Sequence, residues 1–169
     1  MKKFLLVLVV ILLNCTNENE WIGLLDDPGL ASWQKDRGEW FEAGDAVQNP
    51  DDEKLIATKP GTGIMVNDVD GRTINIFSVL EHSDCELHVE FMVPKNSNSG
   101  VYLMSRYEVQ VLDSWGVTEL RHGDCGGIYQ RYVEEQGRGF EGHPPRVNAS
   151  LPPGDWQTFD ITFQGPRFD

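Results

Sequence analysis

The stretch NSNSGVYLMSRYEVQVLDS, residues 96–114, decides how this chain folds. It opens with small polar residues and a glycine, which favour a turn. It then alternates apolar and polar side chains. In YEVQVL, Tyr107, Val109 and Val111 share one face, and Glu108, Gln110 and Leu112 share the other. Period-two alternation is the mark of a β-strand buried on one side only. Its polar side is unusually rich in hydrogen-bonding groups, with Arg106, Glu108 and Gln110 in the run and Asp113 at its end.

The same rhythm recurs outward from there. In CELHVEFMV (85–93), Leu87, Val89, Phe91 and Val93 oppose His88, Glu90 and Met92. In WQTFDITFQG (156–165), Gln157, Phe159, Ile161 and Phe163 oppose Trp156, Thr158, Asp160 and Thr162. INIFSVL (74–80) and GVYLM (100–104) read as further strands. Helical periodicity is nearly absent and no repeat is found, so the expectation is an all-β sandwich with apolar faces meeting between two sheets. The Gly-rich, aromatic run HGDCGGIYQRYVEEQGRGFEG (122–142) reads as a long loop or a short hairpin with a loop. HPPRVNASLPPGDW (143–156), with two proline pairs, reads as an extended surface connection. The sequence ends on WQTFDITFQGPRFD while still strand-like. An unpaired edge there is a liability, so the domain is expected to be C-terminally incomplete, lacking its last strands.

The chain has 169 residues, enough for one domain with a sizeable core. Its start, MKKFLLVLVVILLNC, has two lysines and an unbroken apolar run from Phe4 to Leu13. That is a signal-peptide pattern, short for a membrane span. Residues 1–14 are therefore expected to be a signal peptide, 15–20 a polar tether and 21–169 the folded domain. LLNC resembles a lipobox, which makes Cys15 the candidate lipidated residue of an exported protein, periplasmic or anchored to the outer membrane as a lipoprotein. The alternative is an ordinary signal peptide cleaved elsewhere. Without Lys2 and Lys3, 12 basic residues face 27 acidic ones, a net of −15. Such a charge disfavours nucleic acid and anionic membrane surfaces as partners. Membrane association is expected only through the N-terminal lipid. Cys85 and Cys125 can be a disulfide or two free buried thiols, and their spacing fits no zinc pattern.

NSNSGVYLMSRYEVQVLDS, GGIY (126–129), the run NAS and LPPGDWQTFDI with a following Phe (148–163), and GPRFD (165–169) appear together in this order. With EWIGLLDDPGLASWQ at 20–34, they make the chain resemble the 3-keto-disaccharide hydrolase domain family. The resemblance covers most of residues 20–169. It implies a concanavalin A-like β-jelly-roll and cleavage of glycosides whose sugar is oxidised to a ketone at carbon 3. It also implies a bacterial protein that is often exported or lipid-anchored.

In such a fold an outer sheet face forms a groove. Glu108 and Gln110 lie about 6.5–7 Å apart along one strand and project to the same face. His88 and Glu90 are expected to join them from another strand, and Tyr102 from a third. Arg106 and Tyr129 complete the substrate-binding candidates. Carboxylates, amides and aromatic faces suit sugar hydroxyls and rings. Direct hydrolysis needs two carboxyl groups, Glu108 with Glu90 or Asp113. Elimination needs one base, Glu108 or His122, acting on the acidified hydrogen of carbon 2. It also needs a group to hold the enolate oxygen: a metal, an Arg or a His. Arg106 is a weak candidate for that task. His122 and Asp124, two apart in RHGDCGG, are candidate ligands of a divalent metal. The plainer reading is that they organise a glycine-rich loop. A solvated sheet face is likewise the plain reading of Glu108 and Gln110. The competing function is a non-catalytic carbohydrate-binding module of the same fold. The ketone of the substrate has to be supplied, which points to a partner sugar 3-oxidoreductase.

Overall fold

The structure is a computed structural model that describes residues 7–14, 21–68, 73–133, 138–165 and 167–168. Among these residues the regular structure is almost entirely antiparallel β. The strands are β1 (Val7–Asn14), β2 (Ile22–Gly23), β3 (Trp40–Gln48), β4 (Ile56–Asn67), β5 (Cys85–Met92), β6 (Asn98–Leu103), β7 (Tyr107–Leu112), β8 (Arg131–Val133), β9 (Arg138–Phe140), β10 (Trp156–Gln164) and β11 (Arg167–Phe168). One layer is a seven-stranded sheet in the order β11-β10-β5-β1-β4-β3, with β2 also on β1. The other layer is built on the β6–β7 hairpin. Isolated bridges widen it from Val109 to Ile128 and from Ile128 to His143.

The two layers meet through the side chains that alternation assigns inward. Leu87, Val89, Phe91, Ile161 and Phe163 of the large sheet pack with Leu103, Val109 and Val111 of the hairpin layer in one core. The ring of Tyr107 lies 5.8 Å from that of Phe163 across the gap, and Phe91 and Phe159 pack at 4.6 Å within the large sheet. Each fully buried Phe or Leu contributes about 1.5–3 kcal/mol, so the core is the main source of stability. This is the all-β sandwich that the strand pattern predicts, in keeping with the jelly roll that the resemblance implies. The hairpin β8–β9 falls where the Gly-rich run predicts a loop with a short hairpin.

Two features differ from the sequence reading. INIFSVL is not a strand. Residues 73–77 form no ladder, and Ser78 alone bridges, to Trp33. The backbone groups of this segment are claimed by other partners, so no neighbouring strand is available to it. The Trp40 indole donates to the Ile74 carbonyl at 2.8 Å, Gln34 N–H to the Phe77 carbonyl at 2.8 Å, and Val79 N–H to the Ser32 carbonyl at 2.9 Å. Conversely, β3 and β4 have no counterpart in the sequence reading. Pro60, Gly61 and Gly63 are residues that usually favour turns, yet here they lie inside a single long strand. The β3–β4 register shifts between Ala43 and Asp45. There Gly44 and Gly61 touch so closely that a Cβ on Gly61 would lie 2.6 Å from the Gly44 Cα. Paired glycines at a bulge permit this approach.

The expected signal segment also has a place in the fold. β1 pairs with β5 from Val7↔Met92 to Asn14↔Glu86, and with β4 at Val7↔Val66 and Leu8↔Met65. Leu13 and Asn14 are buried. A molecule processed before Cys15 would lack this strand. Cys15 and the tether 15–20 lie outside the described residues. Cys85 and Cys125 are both buried and are not joined to each other.

Candidate functional site

The site grows out of the β6–β7 hairpin. Arg106 N–H donates to the Leu103 carbonyl at 3.1 Å, closing a two-residue turn. Met104 and Ser105 both adopt positive φ, 52° and 51°. That is the turn geometry whose twist matches flanking strands, here made without glycine or asparagine. The turn fixes the register Tyr102↔Glu108, Gly100↔Gln110 and Asn98↔Leu112. Residues directly opposite in an antiparallel pair share a face. Tyr102, Glu108, Gly100 and Gln110 therefore lie together on the side of the hairpin away from the core.

Two hydrogen bonds cross that face. The Tyr102 hydroxyl donates to Glu108 Oε2 at 2.7 Å. The Gln110 Nε2 donates to Asn98 Oδ1 at 2.6 Å. Gly100 sits between them and leaves space for the Glu108 carboxylate. A Cβ there would lie 2.2 Å from Glu108 Oε1. So Oε2 is held by Tyr102, while Oε1 has no partner among the described residues. With Asn98 Oδ1 occupied, the amide N–H donors of Asn98 are the groups left to a ligand. Burial pushes the Glu108 carboxyl above its ordinary value, against an opposing pull from the Tyr102 hydrogen bond. Tyr102 is raised by burial first and then by Glu108, so it keeps its proton and acts as a donor.

The outer edge of β6 adds backbone groups. Glu108 and Gln110 direct their main-chain bonds away from β6: Tyr129 N–H to the Glu108 carbonyl, Gln110 N–H to the Gly127 carbonyl, and Gly126 N–H to the Gln110 carbonyl. Antiparallel alternation then requires that the N–H and C=O of Gly100 and Tyr102 point away from β7. They face a cavity of about 1150 Å³ that runs along this edge. Its polar end holds Glu108, Tyr102, Asn98 and Gly100, its far wall is the segment 73–82, and Trp33 and Trp40 also line it.

The structure gathers some sequence-predicted residues here and separates others. Glu108 and Tyr102 line the cavity. Tyr129 follows Glu108 on the adjoining strand-like segment, beyond the lining, with its ring edge-on to His122 at 5.3 Å. Gln110 is 2% exposed and reaches no ligand; it orients Asn98. His88 and Glu90 belong to β5, on the outer face of the other layer. There His88 Nδ1 meets Asp160 at 2.7 Å and Nε2 lies 3.6 Å from Glu90. They do not join Glu108, because they point to the outer face of β5, whereas their neighbours Leu87 and Val89 on its inner face line the cavity. Asp113 ends β7 in a turn, accepting from Asn96 N–H at 2.8 Å and Trp115 N–H at 3.4 Å. Arg106 is exposed on the hairpin turn beside Tyr107 and does not line the cavity.

The proposed metal pair is also divided. Asp124 accepts from Arg121 N–H at 2.7 Å and lies 3.3 Å from the Ser114 hydroxyl. It organises its own loop. His122 packs on Tyr129, and neither residue lines the cavity. Among the described residues no group of three or more His, Cys, Asp or Glu is placed to hold a metal.

Sequence reasoning missed Asn98. It sits two residues before Gly100 and four before Tyr102, so alternation alone places it on their face. His82 also lines the cavity and accepts from Met104 N–H at 3.2 Å.

An antiparallel two-layer sandwich thus carries a carboxylate, an amide and aromatic side chains along one cleft. The chain belongs to the family described as 3-keto-alpha-glucoside-1,2-lyase-like domain, whose model matches residues 20–169. β1 lies outside the matched residues. Comparison with curated proteins and with solved structures gave no match.

Proposed function

We propose that the protein cleaves 3-keto-glycosides by elimination, with Glu108 as the base. The carrying observation is the half-buried Glu108 carboxylate in the cavity, gripped through one oxygen by Tyr102 and free at the other. A ketone at carbon 3 acidifies the hydrogen on carbon 2. Glu108 Oε1 takes that proton, and the C2–H electrons form an enolate whose charge rests on the carbon 3 oxygen. The enolate collapses, the C1–O bond breaks, and the aglycone leaves with its electron pair. Water adds to the resulting enone to complete hydrolysis. The Asn98 amide and the open N–H groups of Gly100 and Tyr102 are the donors nearest to hand for the enolate oxygen. Donors fixed in advance stabilise such charge better than water does. A raised carboxylate pKa suits proton abstraction near neutral pH. Neither Glu90 nor Asp113 lines the cavity, which weighs against the two-carboxylate route proposed for them.

The substrate ketone implies an oxidoreductase acting upstream on the same sugar. Export through the N-terminal segment accords with a scavenging role. Incubation of the purified protein with a methyl 3-keto-glucoside tests the reading, following enone absorbance and released methanol. Glu108→Gln should lower turnover by at least about 10³-fold while retaining substrate binding. Unchanged turnover in Glu108→Gln removes Glu108 from the chemistry. Binding of plain glycan with no turnover of the keto form would indicate a carbohydrate-binding module instead.

A further inference from the structure

We propose that the wall formed by residues 73–82 is an aglycone subsite, and that the preferred substrates are neutral 3-keto-glucosides carrying an apolar alkyl or aryl group on carbon 1. This rests on the Glu108 reading and deepens it. Ile74 and Phe77 are 49% and 42% exposed, yet both line the same cavity as Glu108. Met104, 52% exposed at the tip of the β6–β7 hairpin, lines it too. Large apolar side chains clustered at the mouth of a cavity mark ligand contact more often than chance exposure.

These side chains are presented, not left over. Carbonyls of the segment are pinned by the Trp40 indole and by Gln34 N–H, and the Thr73 hydroxyl accepts from Glu39 N–H at 2.8 Å. The backbone is held, so the side chains of Ile74 and Phe77 cannot collapse onto the core as Ile76 and Leu80 do. The two indole N–H groups nearby are already occupied: that of Trp33 donates to the Leu24 carbonyl at 2.9 Å, and that of Trp40 to Ile74. Ile74 and Phe77 offer a ligand apolar surface, beside the polar Asn75, Glu81 and His82 of the same wall. A second sugar laid against Ile74 and Phe77 would bring hydroxyls that find no partner on those two side chains, and burying them unpaired is unfavourable.

Charge narrows the class further. Among the described residues that line the cavity, Glu39 and Glu81 are acidic and none is Lys or Arg. An anionic aglycone or a sugar phosphate would meet repulsion from these two carboxylates. The cavity also exceeds what one hexose ring fills, since pockets for whole drug-sized ligands run roughly 300–1,000 Å³.

The test compares methyl 3-keto-glucoside, octyl 3-keto-glucoside and 3-keto-trehalose on the full chain. Octanol is a poorer leaving group than a sugar hydroxyl, so an advantage in KM cannot come from leaving-group reactivity. KM for the octyl compound should be at least about tenfold lower than for the methyl compound, with 3-keto-trehalose no better than methyl. The double variant Ile74→Asn/Phe77→Asn should bring the octyl-to-methyl KM ratio close to one, and Phe77→Leu should keep most of it. Turnover with equal KM values, or a ratio indifferent to the double variant, overturns the subsite and leaves the Glu108 reading intact. If none of the substrates is turned over, calorimetric affinities of Glu108→Gln decide. Tighter octyl than methyl binding supports the apolar wall although the reaction reading has failed, and equal affinity overturns the wall as well.

Discussion

Glu108 works as a base only if one of its oxygens stays free, and three neighbours arrange that. Tyr102 takes Oε2, Gly100 leaves room for Oε1, and burial raises the proton affinity of the group. The acid limb of kcat/KM should therefore lie above the ordinary glutamate value of 4.5. Because the Tyr102 hydrogen bond favours the ionised carboxylate, Tyr102→Phe should move that limb to higher pH as well as lower the plateau. A limb that stays put, or moves to lower pH, would break the link between the two residues. Part of this was legible in the sequence. Alternation assigned Glu108, Gln110 and Tyr102 to polar positions. It could not say which amide of the Asn98–Gln110 pair faces the ligand, because that depends on which one the loop after Gly126 covers.

At the scale of elements, the hairpin β6–β7 carries a local cost. Non-glycine residues in the left-handed region are disfavoured by about 1 kcal/mol or more, and Met104 and Ser105 are both there. The Arg131 guanidinium holds the tip by donating to the carbonyls of Ser105 and Arg106 at 3.2 and 3.0 Å. Ser105→Gly should raise stability by about 0.5–1 kcal/mol, seen as a rise in Tm of roughly 1–4 °C. A fall in Tm would mean the turn is favoured by contacts that outweigh its backbone. Strands with one buried face, such as β5, β7 and β10, were readable because burial writes its period into the sequence. The segment 73–82 was misread because its apolar side chains face a cavity, which imposes the same composition as a core. The strand β4 was missed because a glycine bulge looks like a turn until its partner glycine is known.

Across the whole molecule, the two layers carry different chemistry on their outer faces. The cavity runs along the β6 edge of the hairpin layer, where Leu87 and Val89 of the large sheet's inner face also line it. The large sheet holds the His88–Asp160–Glu90 cluster, of which the sequence reading had assigned His88 and Glu90 to the groove because alternation fixes a face but not the layer. The His88 imidazole is raised above its ordinary value, chiefly by its hydrogen bond to Asp160 and further by Glu90, against partial burial. A raised histidine stabilises the fold fully below its unfolded pKa of about 6.5, and this contribution fades as pH climbs through the folded value. Asp160→Asn should then lower stability by roughly 0.2–1 kcal/mol at pH 5.5, as is typical of exposed pairs, and by less at pH 8.5. An equal loss at both pH values would show that charge is not what joins these residues. Turnover should be unaffected, since the cluster lies on the far side of the sandwich from Glu108.

The state of the cysteines has a practical consequence. Cys85 sits in the large sheet and Cys125 beside the hairpin layer, and both are sealed from solvent. Burial also keeps the Cys125 thiol protonated beyond its usual range, so it resists alkylation while the fold is closed. With Cys15 replaced by serine, the chain becomes its own stopwatch. Each sulfhydryl takes up a reagent only as fast as its layer breathes, and mass spectrometry can time the two sides of the sandwich against each other.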